Sequence, residues 1–140
     1  MCQVLKEKSF GEFYITLERD EILEMSFITI IRERVNKIHK LGLLIKDVNL
    51  IFSLDATIRE LINRYGDGRT CLSFEKLFHV NETLKVKVHT FAGGLHVDIR
   101  NYFHQDGQLL PTTVGVTIPA LLYEQFREIA MEMIEEAPSL

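Results

Sequence analysis

Proline, cysteine and surplus positive charge are all scarce in this 140-residue chain, and each scarcity closes off a class of protein. Three prolines, with 46% apolar and 26% charged residues, place it among soluble globular sequences and away from collagen-like or disordered ones. The two cysteines, Cys2 and Cys71, lie far apart without metal-ligand spacing, which predicts free thiols in a reducing, intracellular compartment. Neither a signal peptide nor an apolar run of about 18 residues is present, so no membrane partner is expected. A net charge of −4 excludes a protein that coats nucleic acid through bulk positive charge. Any polyanion site must be local.

The length suits one domain, or one compact domain with a sizeable extension. Residues 1–77 have no Ser-rich tail, repeat or low-complexity tract, and their twelve Lys/Arg balance twelve Asp/Glu. In "EFYITLE", Phe13, Ile15 and Leu17 alternate with Tyr14 and Thr16, predicting a short strand. "DEILEMSFITIIRERVNKIHKLG" puts Leu23, Phe27, Ile31, Val35 and Ile38 at steps of three or four. With Asp20 as N-cap and Gly42 as stop, it predicts a helix, although "SFITII" inside it is β-prone. "LLIKDVNLIFS" fits either a buried strand or a helix turn. "SLDATIRELINRYGDG" predicts a helix capped by Ser53, with Ile58, Leu61, Ile62 and Tyr65 on one face and Gly66 at its end. "GDGRT" reads as a linker, which places a boundary between Gly66 and Phe78.

The second half alternates more cleanly. Leu84, Val86 and Val88 interleave with Lys85, Lys87 and His89, and after "AGG" Leu95, Val97 and Ile99 interleave with His96, Asp98, Arg100 and Tyr102. Asp106-Gly107 favours positive φ in a turn, and Val114, Val116 and Ile118 resume the alternation. From Pro119 onward, Leu122, Phe126, Ile129, Ala130 and Met133 recur at helical spacing. Three strands and an amphipathic helix in that order predict an antiparallel sheet with one helix-covered face.

A turn at Gly93-Gly94 would pair Phe91 with His96, His89 with Asp98, Lys87 with Arg100 and Lys85 with Tyr102, keeping both apolar sets on one face. The opposite face then carries Lys85, Lys87, His89, His96 and Arg100, interleaved with Phe91 and Tyr102 and countered only by Asp98. Like charges directly opposite on a sheet cost roughly 0.2 to 1 kcal/mol, which a bound anion would remove. Aromatics beside cations also suit an unpaired nucleic-acid strand, whose bases stack while its phosphates meet Lys and Arg. The plain alternative is the solvated side of a half-exposed sheet, where lysines guard against edge pairing.

Other constellations are weaker. His89 and Asp98 resemble half of a catalytic dyad but have no Ser or Cys nucleophile beside them, and a surface ion pair is the better reading. His96, Asp98, His104 and Asp106 lack a recognised metal spacing, so no metal or other cofactor is expected. "GDG" and "AGG" read as turns, since neither has the Lys-Ser/Thr pair of a phosphate loop. "NET" at Asn81 fits a glycosylation sequon only in a secreted chain. The stripe Leu122, Phe126, Ile129 and Met133, with Leu121, Met131 and Ile134 off it, predicts a dimerisation helix beyond simple core packing.

"VKVHTFAGGLHVDIRNYF", "DGQLLPTTVGVTI" and the terminal helix together resemble the transcriptional positive cofactor four family of single-strand-binding coactivators, from Phe78 to about Glu136. The resemblance implies a strongly curved four-stranded antiparallel sheet followed by a helix, dimerising so that concave sheets form channels for unpaired DNA. It implies base stacking at Phe91 and Phe103 and phosphate contact at Arg100. Phe103 has apolar-face parity, so a bulge or twist must turn it toward a base. Other basic positions of the family are occupied here by Glu82, His89, Ala92, Gly94, Leu110 and Val114, and residues 78–140 carry a net −4.

The expectation is therefore an α+β protein. Residues 1–77 are read as a mainly helical region with one or two short strands, and residues 78–140 as a single-strand-binding, dimerising domain. It would act without catalysis, as a homodimer in the nucleus or elsewhere inside the cell, on single-stranded or melted DNA, or RNA, in transcription or replication beside transcription-machinery proteins. The competing reading is a protein-interaction module that kept the fold and lost most nucleic-acid affinity.

Overall fold

The computed structural model describes residues 2–66, 73–91 and 94–137. Among these residues, eight strands form two four-stranded antiparallel sheets, each in sequential order. The first comprises β1 (Cys2–Phe10), β2 (Phe13–Asp20), β3 (Met25–Arg34) and β4 (Lys37–Leu44), followed by helices α1 (Ile45–Ser53) and α2 (Asp55–Tyr65). The second comprises β5 (Glu75–His79), β6 (Leu84–Phe91), β7 (Gly94–Gln105) and β8 (Gln108–Pro119), followed by helix α3 (Ala120–Glu136). A four-strand meander leading into helix thus occurs twice. The linker expected at "GDGRT" falls on residues outside those described, apart from Gly66.

The N-terminal half is a strand-rich sheet, which corrects the mainly helical expectation. Where a helix was expected from Asp20 to Gly42, the chain makes the β3–β4 hairpin. The apolar stripe that suggested the helix is not a buried face: Leu23, Val35 and Ile38 are 65%, 91% and 66% exposed. The period that governs burial is two, with Ile28 and Ile30 on β3 and Leu41 and Leu43 on β4 all buried. β-Branched "SFITII" favours the strand. Asp20 caps no helix; its Oδ1 accepts the Ile22 and Leu23 amides in the loop between β2 and β3. Asn36, at φ +66°, makes the tight turn after Val35.

"LLIKDVNLIFS" divides, Leu43-Leu44 ending β4 and Ile45 opening α1. The next helix ends at Gly66 as expected, but Ser53 does not cap it. That hydroxyl donates to the Leu50 carbonyl as part of α1, and Leu54 stands at the α2 start. In the second half, Asp106 and Gly107 take φ of +51° and +76° in the β7–β8 turn, as their residue types predict. The final helix begins one residue after Pro119.

One core joins the halves. Phe13, Ile15 and Leu17 of β2 share a single buried cluster with Val86, Val97, Ile99 and Ile118 of the second sheet. α3 packs on β7 and β8 of its own sheet and also on β1 and β2 of the other, while the sheets approach where β4 runs beside β8. The Phe10 ring lies 6.1 Å from that of Phe126 and 5.1 Å from that of Phe13. Buried Asp55, at the start of α2, accepts the Tyr123 hydroxyl at 2.7 Å and the Arg127 Nε at 2.6 Å, both from α3. Burial and the Asp55 hydrogen bond push the Tyr123 phenol well above the usual tyrosine range.

Candidate nucleic-acid interface

The β6–β7 hairpin keeps the expected faces and changes the partners. Phe91 pairs with Gly94, leaving residues 92 and 93 between the strands, so every pair slides by two from the Gly93-Gly94 register. A slip of two preserves the inward and outward sets, which is why the apolar residues are buried as anticipated. The turn residues themselves lie outside those described. His89 now faces His96, Lys87 faces Asp98, and Lys85 faces Arg100. The Lys87–Arg100 opposition is therefore absent, and the charge at Lys87 is met by a carboxylate.

Lys85 is buried, and its ammonium is turned onto the Asn81 carbonyl oxygen. Lys87 reaches Glu75 of β5 at 3.3 Å. Arg100 grips Asp98 through Nε at 3.1 Å and Nη2 at 3.0 Å, while its Nη1 donates to the Thr112 carbonyl. Asp98 also accepts the Thr117 hydroxyl at 2.6 Å. Gly115 lies opposite Arg100 and makes this arrangement possible: a Cβ there would stand 2.7 Å from Arg100 Cγ and 2.8 Å from the Ile99 carbonyl oxygen.

Beyond Arg100 the ladder breaks. Tyr102 pairs with Pro111 where an unbroken register would give Thr113, so β8 carries two extra residues. The irregularity leaves Val114 exposed despite its place in the alternation. It also divides the neighbouring aromatics: Tyr102 is buried and lines a groove, whereas Phe103 is exposed and is not part of that lining.

The groove, about 410 Å³, is lined from the C-terminal sheet by Lys87, His89, Phe91, His96, Asp98, Arg100, Tyr102, Pro111, Thr117 and Pro119. Its other wall is Arg32, Arg34 and His39 of the β3–β4 hairpin. The lining holds four Lys/Arg side chains against one carboxylate, Asp98. Three rings cluster at one end, with Phe91 6.1 Å from His96 and 6.5 Å from His89, and Phe91 is 65% exposed. Burial, reinforced by Lys87, holds His89 below the usual histidine range; burial together with Lys37 and Arg100 does the same for His39. Both favour the neutral ring.

Of the expected interface residues, the groove therefore gathers Lys87, His89, Phe91, His96, Arg100 and Tyr102, and leaves out Lys85 and Phe103. Arg32, Arg34 and His39 escaped the sequence reading because their segment was read as a helix. The signal for them was the "VN" turn between a β-branched run and the alternating Leu41 and Leu43.

Residues 78–129 match the family model described as Transcriptional Coactivator p15 (PC4). The matched stretch runs from β5 into α3 and carries the hairpin, the β8 irregularity and the ring cluster. The matched stretch contributes one groove wall, and the hairpin bearing Arg32 and Arg34 lies outside the match. No curated protein matches the chain. The expected dimerisation residues of the PC4-type domain are occupied within the chain: Phe126, Ile129 and Met133 are buried in the shared core, and Leu122 packs against it, over Gly11. No helix among the described residues is long and apolar enough to cross a membrane.

Proposed function

We propose that the chain binds single-stranded or melted nucleic acid in the groove between its two sheets and acts there as a non-catalytic, nuclear transcriptional coactivator. The observation that carries this reading is the exposed Phe91 ring, clustered with His89 and His96 at the end of a groove with four cations and one carboxylate. Rings stack on any base and cations follow the backbone, a combination suited to an unpaired strand. Buried duplex bases offer no open face to such a platform. The groove is also complete within one chain. A homodimer formed through Phe126, Ile129 and Met133 would have to withdraw them from the core, whereas Leu121 and Met131 remain exposed on α3 for a second copy.

Titrating a fluorescently labelled single-stranded oligonucleotide and a duplex of the same sequence with the full chain, at low and near-physiological salt, tests this reading. Preferential single-strand binding that weakens with salt is the expected result, and Phe91→Ala weakens it further. The carboxylate partners of Lys87 and Arg100 favour a second reading, a protein-interaction module with little nucleic-acid affinity. Failure of both oligonucleotides to bind at low salt would select that module.

A further inference from the structure

Both cations that the C-terminal sheet brings to the groove already have a carboxylate partner, Glu75 for Lys87 and Asp98 for Arg100, and Lys85 is turned onto the Asn81 carbonyl. The unanswered charge at the groove comes from the other half of the chain. Arg34, on the groove wall, stands directly opposite Lys37, which lies beside the groove at the β3–β4 tip, and neither has an ion pair among the described residues. Arg32, facing His39, shares Glu12 at 2.6 Å, an acid that is itself well exposed. The carboxylate beside the tip, Glu33, accepts the Tyr14 hydroxyl.

Opposed like charges on a hairpin weaken it until an anion lies across them. The same tip exposes Val35 and Ile38, side chains that gain by contact with an apolar face. A polynucleotide strand supplies both complements, phosphate for the cations and base faces for the apolar pair. An acidic protein segment supplies carboxylates for the cations but, unlike a polynucleotide, does not carry a flat ring beside every charge to set against the ring platform on the facing wall.

We propose that the β3–β4 hairpin is the phosphate-binding wall of the groove, with Arg34 and Lys37 holding the backbone of a single strand whose bases stack on Phe91 and His96. This rests on the nucleic-acid reading above and extends it to residues outside the PC4 match. The strand lies across one chain, touching both sheets.

The test is the salt dependence of binding by full-length variants to a labelled oligothymidylate. Arg34 and Lys37 are exposed, so Arg34→Ala/Lys37→Ala should fold as the parent does. Loss of two phosphate contacts should lower the slope of log affinity against log salt by about 1.4 and weaken binding about tenfold near 0.1 M salt. Phe91→Ala should weaken binding with the slope unchanged. Lys46→Ala/Arg64→Ala removes the same net charge away from the groove and should change little.

If the parent binds while Arg34→Ala/Lys37→Ala keeps its affinity and slope, the hairpin assignment is wrong and the groove reading stands. An equal loss in the Lys46/Arg64 control would likewise overturn it, since net charge alone would then explain the effect. Equally effective competition by polyglutamate would reassign the hairpin to an acidic protein partner. A parent chain that binds no oligonucleotide sinks both readings.

Discussion

The two four-stranded units follow the same element order yet put their cations to different use. In the C-terminal sheet Asp98, Glu75 and the Asn81 carbonyl take up Arg100, Lys87 and Lys85. In the N-terminal sheet Arg34 and Lys37 project from a hairpin tip with no ion pair among the described residues. The first arrangement fixes side chains in place, and the second leaves charge for a partner. The PC4-type unit is therefore the ordered, ring-bearing wall, and the unit without a family match brings the free charge.

The two units are alike in topology and share one core, and that shared core is where a single substitution should do the most damage. Phe126→Ala removes a fully buried ring that touches Phe10 of the other unit and should cost about 3 to 5 kcal/mol in urea unfolding. Both sheets should lose amide-exchange protection together, and separate transitions would show that the units fold independently. Asp55→Ala strands the Tyr123 hydroxyl and the Arg127 guanidinium and should cost about 2 to 3 kcal/mol. Gly115→Ala forces a Cβ against Arg100 and the Ile99 carbonyl and should cost about 1 to 3 kcal/mol by the same measurement.

Phe91→Ala sharpens the contrast between walls. Its ring is mostly exposed, so stability should stay within about 0.5 kcal/mol of the parent while oligonucleotide affinity falls by about 1 to 3 kcal/mol. The smallest effect is expected from pH. His89 sits below its ordinary value of 6.5 because of burial and Lys87, with His96 adding to the fall and Asp98 and Glu75 opposing it. The folded state therefore binds its proton less readily than the unfolded state. This histidine's contribution to stability is present above about pH 6.5 and lost as pH falls through the depressed folded value. Binding runs the other way, because a polyanion favours the charged ring. Between neutral and mildly acidic pH the melting temperature should fall slightly while oligonucleotide affinity rises, and His89→Gln should blunt both trends.

The second unit was legible because its strands alternate strictly. Leu84 to Val88 and Leu95 to Ile99 reveal period, faces and turn position within two residues. The partners across the hairpin were missed because a slip of two leaves every face unchanged and is invisible to alternation. The first unit was misread at "FITIIRERVNKI", where apolar residues satisfy periods of two and of three to four at once. There the β-branched content and the Asn36 turn decide the outcome. The repeat of topology left no repeat of sequence to find. Groove residues Arg32 and Arg34 were hidden by that misreading, whereas Phe91, His96 and Arg100 lay on strands whose faces were already known.

Gly11 takes φ +55° in the β1–β2 turn, and a Cβ there would stand 2.7 Å from a methyl carbon of Leu122, more than a hundred residues further along the chain. The β1–β2 hairpin thus keeps a seat for α3, an element made long after it. Its inner face, with Phe10 and Phe13, waits for α3 while the eight described elements between Asp20 and Ala120 are made. Such distant closure slows folding and prolongs exposure of apolar strand surface. The chain should accordingly depend on chaperones during synthesis for as long as that face lacks α3.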